Sequence, residues 1–334
     1  MKAHDRVVYG NLNEKENKST IASEKAEERK QLAEQSNDQS SLYGLIDINN
    51  NNNKNILKMK LLVTTDFSVN SAGAIRFAQT LAHQSKSIDV VFYHAVHFLK
   101  PTRWSSDFFN RYKEEEVKRL SIDLKKFVSD SIGKGKSKFA NTKFVIDEVI
   151  STEKDIISYA EKKGINFICI ATKGAGILRK IIGTHTSYLV NNSKIPIMVI
   201  PSHYRVKPLK TATYLSDFEN LKKEIRKVSA ISIALKINLE VLHYSSLVVD
   251  KKKFQNNKAL FATSEYKNIK LTVSKNDLEL SLVQKISKYV DRSKPELLIM
   301  FTNREKGFFE SIFLPSKSAE LTYTTRVPVL IFSK

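Results

Sequence analysis

The chain has little cysteine and proline, and it lacks a long uninterrupted apolar run. Its one cysteine, Cys169, lies in the apolar segment FICIAT, which excludes an internal disulfide framework and predicts a buried, inert thiol. No run of about 18 apolar residues occurs, so a membrane span is not supported. The first residues lack the apolar core of a signal peptide, and we therefore expect a cytoplasmic protein.

Familiar catalytic motifs are also missing. The sequence has no Walker A loop, no Gly-x-Ser-x-Gly elbow and no Gly-x-Gly-x-x-Gly fingerprint. His94, His97 and His243 fall in or near predicted strands, without a metal-ligand cluster beside them. Because neither a nucleophile nor a general base can be named, we expect no enzyme; slow ATP hydrolysis is the one enzymatic alternative.

Acidic residues are scarce relative to basic ones, with 35 Asp and Glu against 55 Lys and Arg and a net charge of +20. Residues 58–204 carry +10 and residues 205–334 carry +11. A nucleic-acid partner is one interpretation, since basic surfaces attract phosphate backbones. The lysines are scattered, however, and no zinc-finger spacing or recognition-helix pattern accompanies them. The sequence therefore favours a solvated basic surface over a nucleic-acid partner, and it predicts no membrane partner.

The chain divides into three parts by composition and repetition. Residues 1–57 are rich in Glu, Lys, Ser, Gln and Asn and include Asn49–Asn53, which predicts a disordered N-terminal leader. Residues 58–204 and 205–334 are two degenerate copies of one unit. The segments LLVTTDFS (61–68), FICIATKGAG (167–176) and IPIMVIP (195–201) reappear in the same order as TATYLSDFE (211–219), LLIMFTNREKG (297–307) and VPVLIFS (327–333).

Each copy alternates apolar runs with helical patterns. In the first copy we predict strands over 60–65, 89–97, 143–150, 167–172 and 197–200. The helices between them are predicted over 72–84, with Ser68 as cap, 108–132 and 154–163. The second copy repeats the scheme, with a variable middle between residues 244 and 277. Alternating strands and helices predict an α/β fold of two tandem domains, each a parallel sheet with helices on both faces.

The first copy carries a candidate phosphate site. Ligands of open parallel sheets bind beyond the carboxyl ends of strands, where a glycine loop brings backbone N–H groups close to an anion. The candidate site residues at these strand ends and in the following glycine turns are Thr65, Asp66, Ala95, Ala171, Lys173, Gly174, Gly176, Gly183, Thr184, His185 and Thr186. A carboxylate at Asp66 suits a base amine or a ribose hydroxyl, so the arrangement indicates a mononucleotide.

The second copy keeps the acidic turn but not the glycines. Asp217 matches Asp66, whereas the later loop reads NREKGFF (303–309) and no Gly-Ser or Gly-Thr turn follows. We therefore expect that this half binds no nucleotide and supports the first half or a partner.

TTDFS, the block from Ala171 to Pro201 and its echo in the second half resemble the universal stress protein family in its tandem form. The resemblance implies a Rossmann-like, adenine nucleotide alpha hydrolase-like fold that often forms dimers. It implies ATP, or ADP or AMP, with Mg²⁺, as ligand, with Asp66 at the adenosine end and the Gly174 loop, Gly183, Thr184 and Thr186 around the phosphates.

Two departures separate this chain from the ATP-binding pattern Gly-2x-Gly-9x-Gly-[Ser/Thr]. Ala171 replaces the first glycine, and eight residues rather than nine separate Gly174 from Gly183. A missing residue shortens an extended loop by about 3.5 Å. The leading hypothesis is a stress-response module that binds an adenine nucleotide as a regulatory ligand and signals to an unknown protein partner. The alternative is a nucleotide-free scaffold that acts by protein–protein contact.

Overall fold

A computed structural model describes residues 59–85, 88–133, 141–172, 184–245, 251–263, 266, 268–275, 279–302 and 327–333. The predicted leader lies outside these residues. So do four candidate site residues, Lys173, Gly174, Gly176 and Gly183, and the second-half loop that follows Thr302.

The first half alternates strands and helices as predicted. Its elements are β1 (Met59–Thr64), α1 (Ala72–Gln84), β2 (Ile88–Val96), α2 (Ser106–Ile132), β3 (Asn141–Glu148), α3 (Thr152–Lys162), β4 (Phe167–Ala171), α4 (Thr184–Asn192) and β5 (Ile197–Ile200). Strand and helix ends fall within about two residues of the predicted ones, the usual scatter at fraying termini.

The second half repeats this order. Its elements are β6 (Thr211–Leu215), α5 (Leu221–Leu235), β7 (Asn238–Ser245), α6 (Lys251–Leu260), β8 (Lys270–Lys275), α7 (Leu282–Ser293), β9 (Leu297–Thr302) and β10 (Val329–Ser333). The region predicted only as variable thus contains a helix, α6, and a strand, β8.

The ten strands of the described residues form one sheet in the order β3-β2-β1-β4-β5-β10-β9-β6-β7-β8. Each half has five parallel strands in the same order, which confirms the predicted α/β fold class. The halves are joined by β5 and β10, which pair antiparallel with Ile197 opposite Ile331 and Val199 opposite Val329. Because β5 is apolar and buried throughout, an unpaired β5 would be an aggregation-prone edge, and β10 covers it.

The hydrophobic core runs across this joint. One cluster of buried side chains includes Ile156 and Leu189 of the first half together with Ile286 and Tyr289 of the second. Helix α4 of the first half also packs on β10, the last strand of the second. The two halves therefore share a core, although each follows its own repeat of the sequence.

The segment between the halves is held by side chains of α1. Arg76 donates from Nε to the carbonyl of Tyr204, at 2.5 Å, and from a terminal nitrogen to that of Ser202, at 2.6 Å. Gln84 Nε2 donates to the carbonyls of Leu209 and Leu235, at 2.6 and 2.7 Å. These hydrogen bonds attach the segment to helix α1 of the first half, so it does not behave as a free linker.

The cap of α1 differs from the prediction, although its first residue does not. Ser71, not Ser68, occupies the N-cap position, and α1 begins at Ala72. The hydroxyl of Ser68 instead donates to Asp66 Oδ1 at 2.5 Å. The Ser68 oxygen also accepts from the backbone N–H of Ser71 at 3.3 Å, so Ser68 stabilises the turn between Asp66 and the helix.

Candidate functional site

A cleft of about 520 Å³ opens at the carboxyl ends of β1, β2 and β4 in the first half. Six of the predicted site residues line it: Thr65, Asp66, Ala95, Ala171, His185 and Thr186. Three separate strand ends and one helix start bring these residues together. The cleft lies where ligands of doubly wound α/β sheets are expected to bind.

Asp66 sits at the tip of a tight turn after β1. Its Oδ1 accepts hydrogen bonds from the backbone N–H of Ser68, at 3.0 Å, and from the Ser68 hydroxyl. Phe67 adopts a left-handed conformation with φ of 60°, which turns the chain sharply between these two residues. The turn holds the Asp66 carboxylate at the mouth of the cleft, where the residue remains exposed.

The electrostatics of this turn keep Asp66 charged. Partial burial works to raise its pKa, but the hydrogen bonds from the Ser68 hydroxyl and from backbone N–H groups outweigh burial, and the net pKa is lowered. A carboxylate has more lone pairs than these bonds use. Asp66 can therefore accept a further hydrogen bond from a ligand.

Thr65 stabilises this turn through hydrogen bonds of its side chain and its backbone. Its hydroxyl lies 2.7 Å from the hydroxyl of Ser71 and accepts from the N–H of Phe67 at 3.1 Å. The Thr65 carbonyl accepts from His94 Nδ1 at 2.8 Å. Thr65 and His94 thus fix the backbone that carries Asp66, and the Thr65 side chain is committed to this role rather than aimed at a ligand.

The start of α4 forms the opposite wall. Thr186 is buried, with 3% of its surface exposed, and His185 is exposed with Nδ1 2.6 Å from Glu153 Oε1 of α3. The first turn of an α-helix offers unpaired backbone N–H groups and a positive dipole end, which suit an anion. Helix α4 begins at Thr184, within the Gly-Thr-His-Thr segment; the Thr184 side chain lies outside the described residues.

Small residues leave the floor of the cleft open. Ala95 is the last residue of β2 that lines the cleft, and Ala171 is the last residue of β4. Beside them, the hydroxyl of Tyr93 donates to Asp147 Oδ2 at 2.7 Å. Burial, reinforced by this carboxylate, raises the pKa of Tyr93, so the phenol stays protonated and serves as a fixed wall.

The corresponding cleft of the second half is largely filled. The turn is repeated: Phe218 has φ of 66°, Asp217 Oδ1 accepts from the N–H of Glu219, and His243 Nδ1 donates to the Ser216 carbonyl at 2.9 Å. The residue after this histidine is Tyr244, however, where the first half has Ala95.

The sheet register identifies a second filled position. Leu61 pairs with Phe167 in the first half as Ala212 pairs with Leu297 in the second, so Phe301 stands where the first half has Ala171. Both aromatic residues line the remaining cavity, which measures about 160 Å³. The aromatic side chains occupy the space that the alanines leave empty.

Several lining residues were not predicted from the sequence. They are Thr64, Ser68, Asn70, Ser71, Tyr93, Thr152, Ile156 and Ile170. A usable signal existed for Ser68, since a serine two residues after an aspartate often closes a local turn. Thr152 and Ile156 carried no such signal, because only the packing of α3 against the sheet brings them to the cleft.

Two features are absent from the described residues. No group of three or more His, Cys, Asp or Glu side chains in that part of the chain is arranged to hold a metal ion. None of the helices described has the length and apolar content needed to cross a membrane.

Comparison with known proteins identifies the first half. A family model described as the universal stress protein family matches residues 59–201, the segment that builds the cleft. Residues 59–201 are thus similar to the universal stress protein family. Among curated protein sequences, none matches the chain.

Solved structures extend the likeness in fold to both halves of the chain. A universal stress protein from Archaeoglobus fulgidus DSM 4304 is 13% identical, with 82% of this chain and 98% of that chain covered and a TM-score of 0.59. At this identity the likeness shows the fold alone.

Shorter proteins match about half of the chain. The universal stress protein UspA from Lactobacillus plantarum is 20% identical over 42% of this chain and 97% of its own, with a TM-score of 0.34. A universal stress protein in complex with cAMP is 12% identical over 43% of this chain and 98% of its own, with a TM-score of 0.32.

Proposed function

We propose that the first half binds an adenine nucleotide, ATP or else ADP or AMP, as a regulatory ligand in a stress response. The observation that carries the proposal is the open cleft between the Asp66 turn and the start of α4. Its two ends differ in the way a nucleotide requires, with a hydrogen-bond acceptor at one side and helix N–H groups at the other. Asp66 would accept from the ribose or the base, and the first turn of α4 would face the phosphates.

We assign the nucleotide a regulatory rather than a catalytic role. The lining side chains Thr65, His94 and His185 are each engaged with a neighbouring protein group. None is placed as an unengaged base beside a nucleophile. A bound nucleotide would instead change the surface around α4 and the Asp66 turn, which a partner protein could then read.

The two halves supply a matched test. We expect titration calorimetry with ATP, ADP, AMP and cAMP, with and without Mg²⁺, to show binding to the native protein. Asp66→Ala should weaken it by about 10- to 150-fold, because a hydrogen bond to a charged group contributes about 1.5–3 kcal/mol. Asp217→Ala, at the equivalent turn, should leave the affinity unchanged.

Two results would contradict the proposal. One is the absence of heat for every nucleotide at high micromolar concentrations. The other is an equal loss in Asp66→Ala and Asp217→Ala. Mass spectrometry of the purified protein adds an independent check, since a tightly held nucleotide should co-purify.

One sequence observation favours a second function, that of a nucleotide-free scaffold. The glycine loop is one residue shorter than the family's ATP-binding pattern, with eight residues between Gly174 and Gly183. Inserting one residue after Gly174 separates the two functions. ATP affinity gained only after this insertion would favour the scaffold, whereas affinity already present in the native protein favours nucleotide regulation.

The proposed partners follow from the same cleft. An adenine nucleotide is the small-molecule partner and an unidentified protein is the macromolecular one. A homodimer would have to use a surface other than the β5 edge, because β10 of the same chain already pairs with that edge.

A further inference from the structure

Helices α5 and α6 lie side by side in the second half and form one outer surface. Phe254 and Asn257 anchor α6 to the loop before α5: the rings of Phe254 and Phe218 are 6.2 Å apart, and Asn257 Nδ2 donates to the Phe218 carbonyl at 3.2 Å. Lysines that are far apart in the sequence are therefore carried by two helices that contact each other.

The charge of this pair is strongly one-sided. Helices α5 and α6 together contain eight Lys and Arg residues and one carboxylate, Glu224. Glu224 is buried, with 4% of its surface exposed, and accepts a hydrogen bond from the hydroxyl of Tyr214. It thus contributes no negative charge to the outer surface. The equivalent pair in the first half, α1 and α2, contains seven Lys and Arg residues and six carboxylates.

Four cations on α5 and α6 are also exposed and outside the ion pairs of the described residues. Lys222, Lys223, Arg226 and Lys258 are exposed, and none forms an ion pair with another of the described residues. In α2, by contrast, Arg119 pairs with both Glu116 and Asp123.

Two acidic residues precede α5. They are Asp217 and Glu219, and Asp217 accepts a hydrogen bond from the N–H of Glu219 within its own turn. The cations on α5 and α6 outnumber them, and the surface keeps a positive excess.

We propose that the α5–α6 surface binds the phosphate backbone of a nucleic acid without reading its sequence. Lys222 and Arg226 stand one helical turn apart, where side chains are about 5–6 Å from each other at Cβ, a spacing that lets both reach successive phosphates. Binding of this kind draws on counterion release and needs no base contacts. The nucleotide cleft takes no part in it.

A membrane surface is the less favoured polyanion. Interfacial helices bury a broad apolar face alongside their cations. On α5 the large apolar side chain that is exposed is Ile233, at 76%. The other large apolar residues of the helix are buried in the protein, namely Leu221, Ile225, Val228, Ile231 and Leu235. One isoleucine offers little area for insertion.

Fluorescence anisotropy with the full chain and a labelled mixed-sequence DNA duplex, repeated over a series of NaCl concentrations, tests the inference. The variant Lys222→Gln/Lys223→Gln/Arg226→Gln should bind more weakly, and the slope of log K against log [NaCl] should shrink by about 0.9 for each lost contact. The matched control Lys118→Gln/Lys125→Gln/Lys126→Gln removes the same charge from exposed positions of α2 and should retain the native slope. All six substituted residues are exposed, so thermal melting should show both variants folded.

Three outcomes would overturn the inference. They are a native protein that does not bind the duplex, an equal loss in the control variant, and binding to phosphatidylserine vesicles without binding to the duplex. A loss confined to the α5 variant would support it.

Discussion

The two halves share a framework but differ in what fills the end of the sheet. Both carry a left-handed phenylalanine after an aspartate, Phe67 and Phe218, and a histidine that holds the backbone before it, His94 and His243. The space beside that turn is about 520 Å³ in the first half and about 160 Å³ in the second. The turn therefore belongs to the fold, and the presence of Asp66 or Asp217 alone is no evidence of a ligand site.

Two positions account for the difference in space. Ala95 and Ala171 in the first half correspond to Tyr244 and Phe301 in the second. Phe301 stacks on Phe332 at 4.7 Å, and the Tyr244 hydroxyl donates to the Lys285 carbonyl at 3.0 Å. These aromatic side chains are packed into the second half as core residues. A repeat that lost its ligand would be expected to gain such packing, because an empty apolar cavity lowers stability.

Ala95→Tyr transfers the second half's residue into the first, and it should have the largest effect. The ring would occupy the floor of the cleft, so we expect nucleotide binding to fall by at least about 100-fold, or about 2.7 kcal/mol. Calorimetry with the best native ligand measures this loss.

A tyrosine at an exposed position controls for the substitution itself. Leu99 is 88% exposed in the loop after β2, and Leu99→Tyr should bind as the native protein does. Native affinity in Ala95→Tyr would show that the ligand does not occupy this cleft.

Ile286→Ala tests whether the halves are separate in stability as well as in ligand binding. Ile286 of α7 is 1% exposed within the core cluster that spans both halves, and its truncation should cost about 2–5 kcal/mol. Because the core is shared, the loss should also reach the first half. The chain's one tryptophan, Trp104, lies in the first half, so its fluorescence and far-UV circular dichroism should shift together on denaturant unfolding.

The position of Ile233 provides the control for Ile286. Ile233 is 76% exposed on α5, and Ile233→Ala should change the free energy of unfolding by less than about 0.5 kcal/mol. If Ile286→Ala splits the unfolding curve and leaves the Trp104 transition in place, the two halves unfold as independent domains with boundaries near those predicted.

The sequence was sufficient for the fold because the repeat is visible in it. Apolar runs such as LLVTT and FICIAT predicted buried parallel strands, and the α1 pattern predicted Ala72–Gln84 to the residue. The antiparallel joint between β5 and β10 was not predicted, since an apolar run such as IPIMVIP shows that a strand is buried but not which strand pairs with it.

The candidate site was predictable where chemistry follows from local sequence. Asp66, His185 and Thr186 were predicted in this way, and all three line the cleft. Thr65 was predicted as a binding residue but its hydroxyl bonds to Ser71 and Phe67, because a six-residue separation in sequence does not reveal the turn that brings Ser71 back. The difference between Ala95 and Tyr244 was not predicted, because the two halves had to be aligned by their strand register before these positions could be compared.

Gly73→Ala tests a contact that the second half does not have. A Cβ at this position would lie 2.4 Å from the carbonyl oxygen of Pro201, so α1 can approach the inter-half segment only with glycine there. The equivalent residue in α5 is Glu224. We expect Gly73→Ala to lower the free energy of unfolding by about 1–3 kcal/mol, because backbone must move to relieve the overlap.

A second glycine separates crowding from backbone strain. Gly133 has φ of +84° with open space around its Cβ position, so Gly133→Ala should cost about 1 kcal/mol through conformation alone. Chemical denaturation of both variants measures the difference. A Gly73→Ala variant no less stable than Gly133→Ala would show that the inter-half segment yields easily.

Ser68→Ala should have the smallest effect, and it sharpens the difference between the two aspartate turns. The position that matches Ser68 in the second half is occupied by Glu219, so the hydroxyl that bonds to Asp66 has no equivalent there. Its removal should raise the pKa of Asp66 toward the usual range, measurable by NMR titration of the carboxylate. Because the native pKa is lowered, the stabilising contribution of Asp66 is present at neutral pH and is lost as the pH falls through that pKa. In Ser68→Ala the contribution should be smaller at neutral pH, by less than about 1 kcal/mol since the site is exposed.

Glu219→Ala, the matched change in the other half, should leave the titration of Asp66 unchanged. A shift in this variant would show that the pKa of Asp66 reports the net charge of the molecule rather than its own turn.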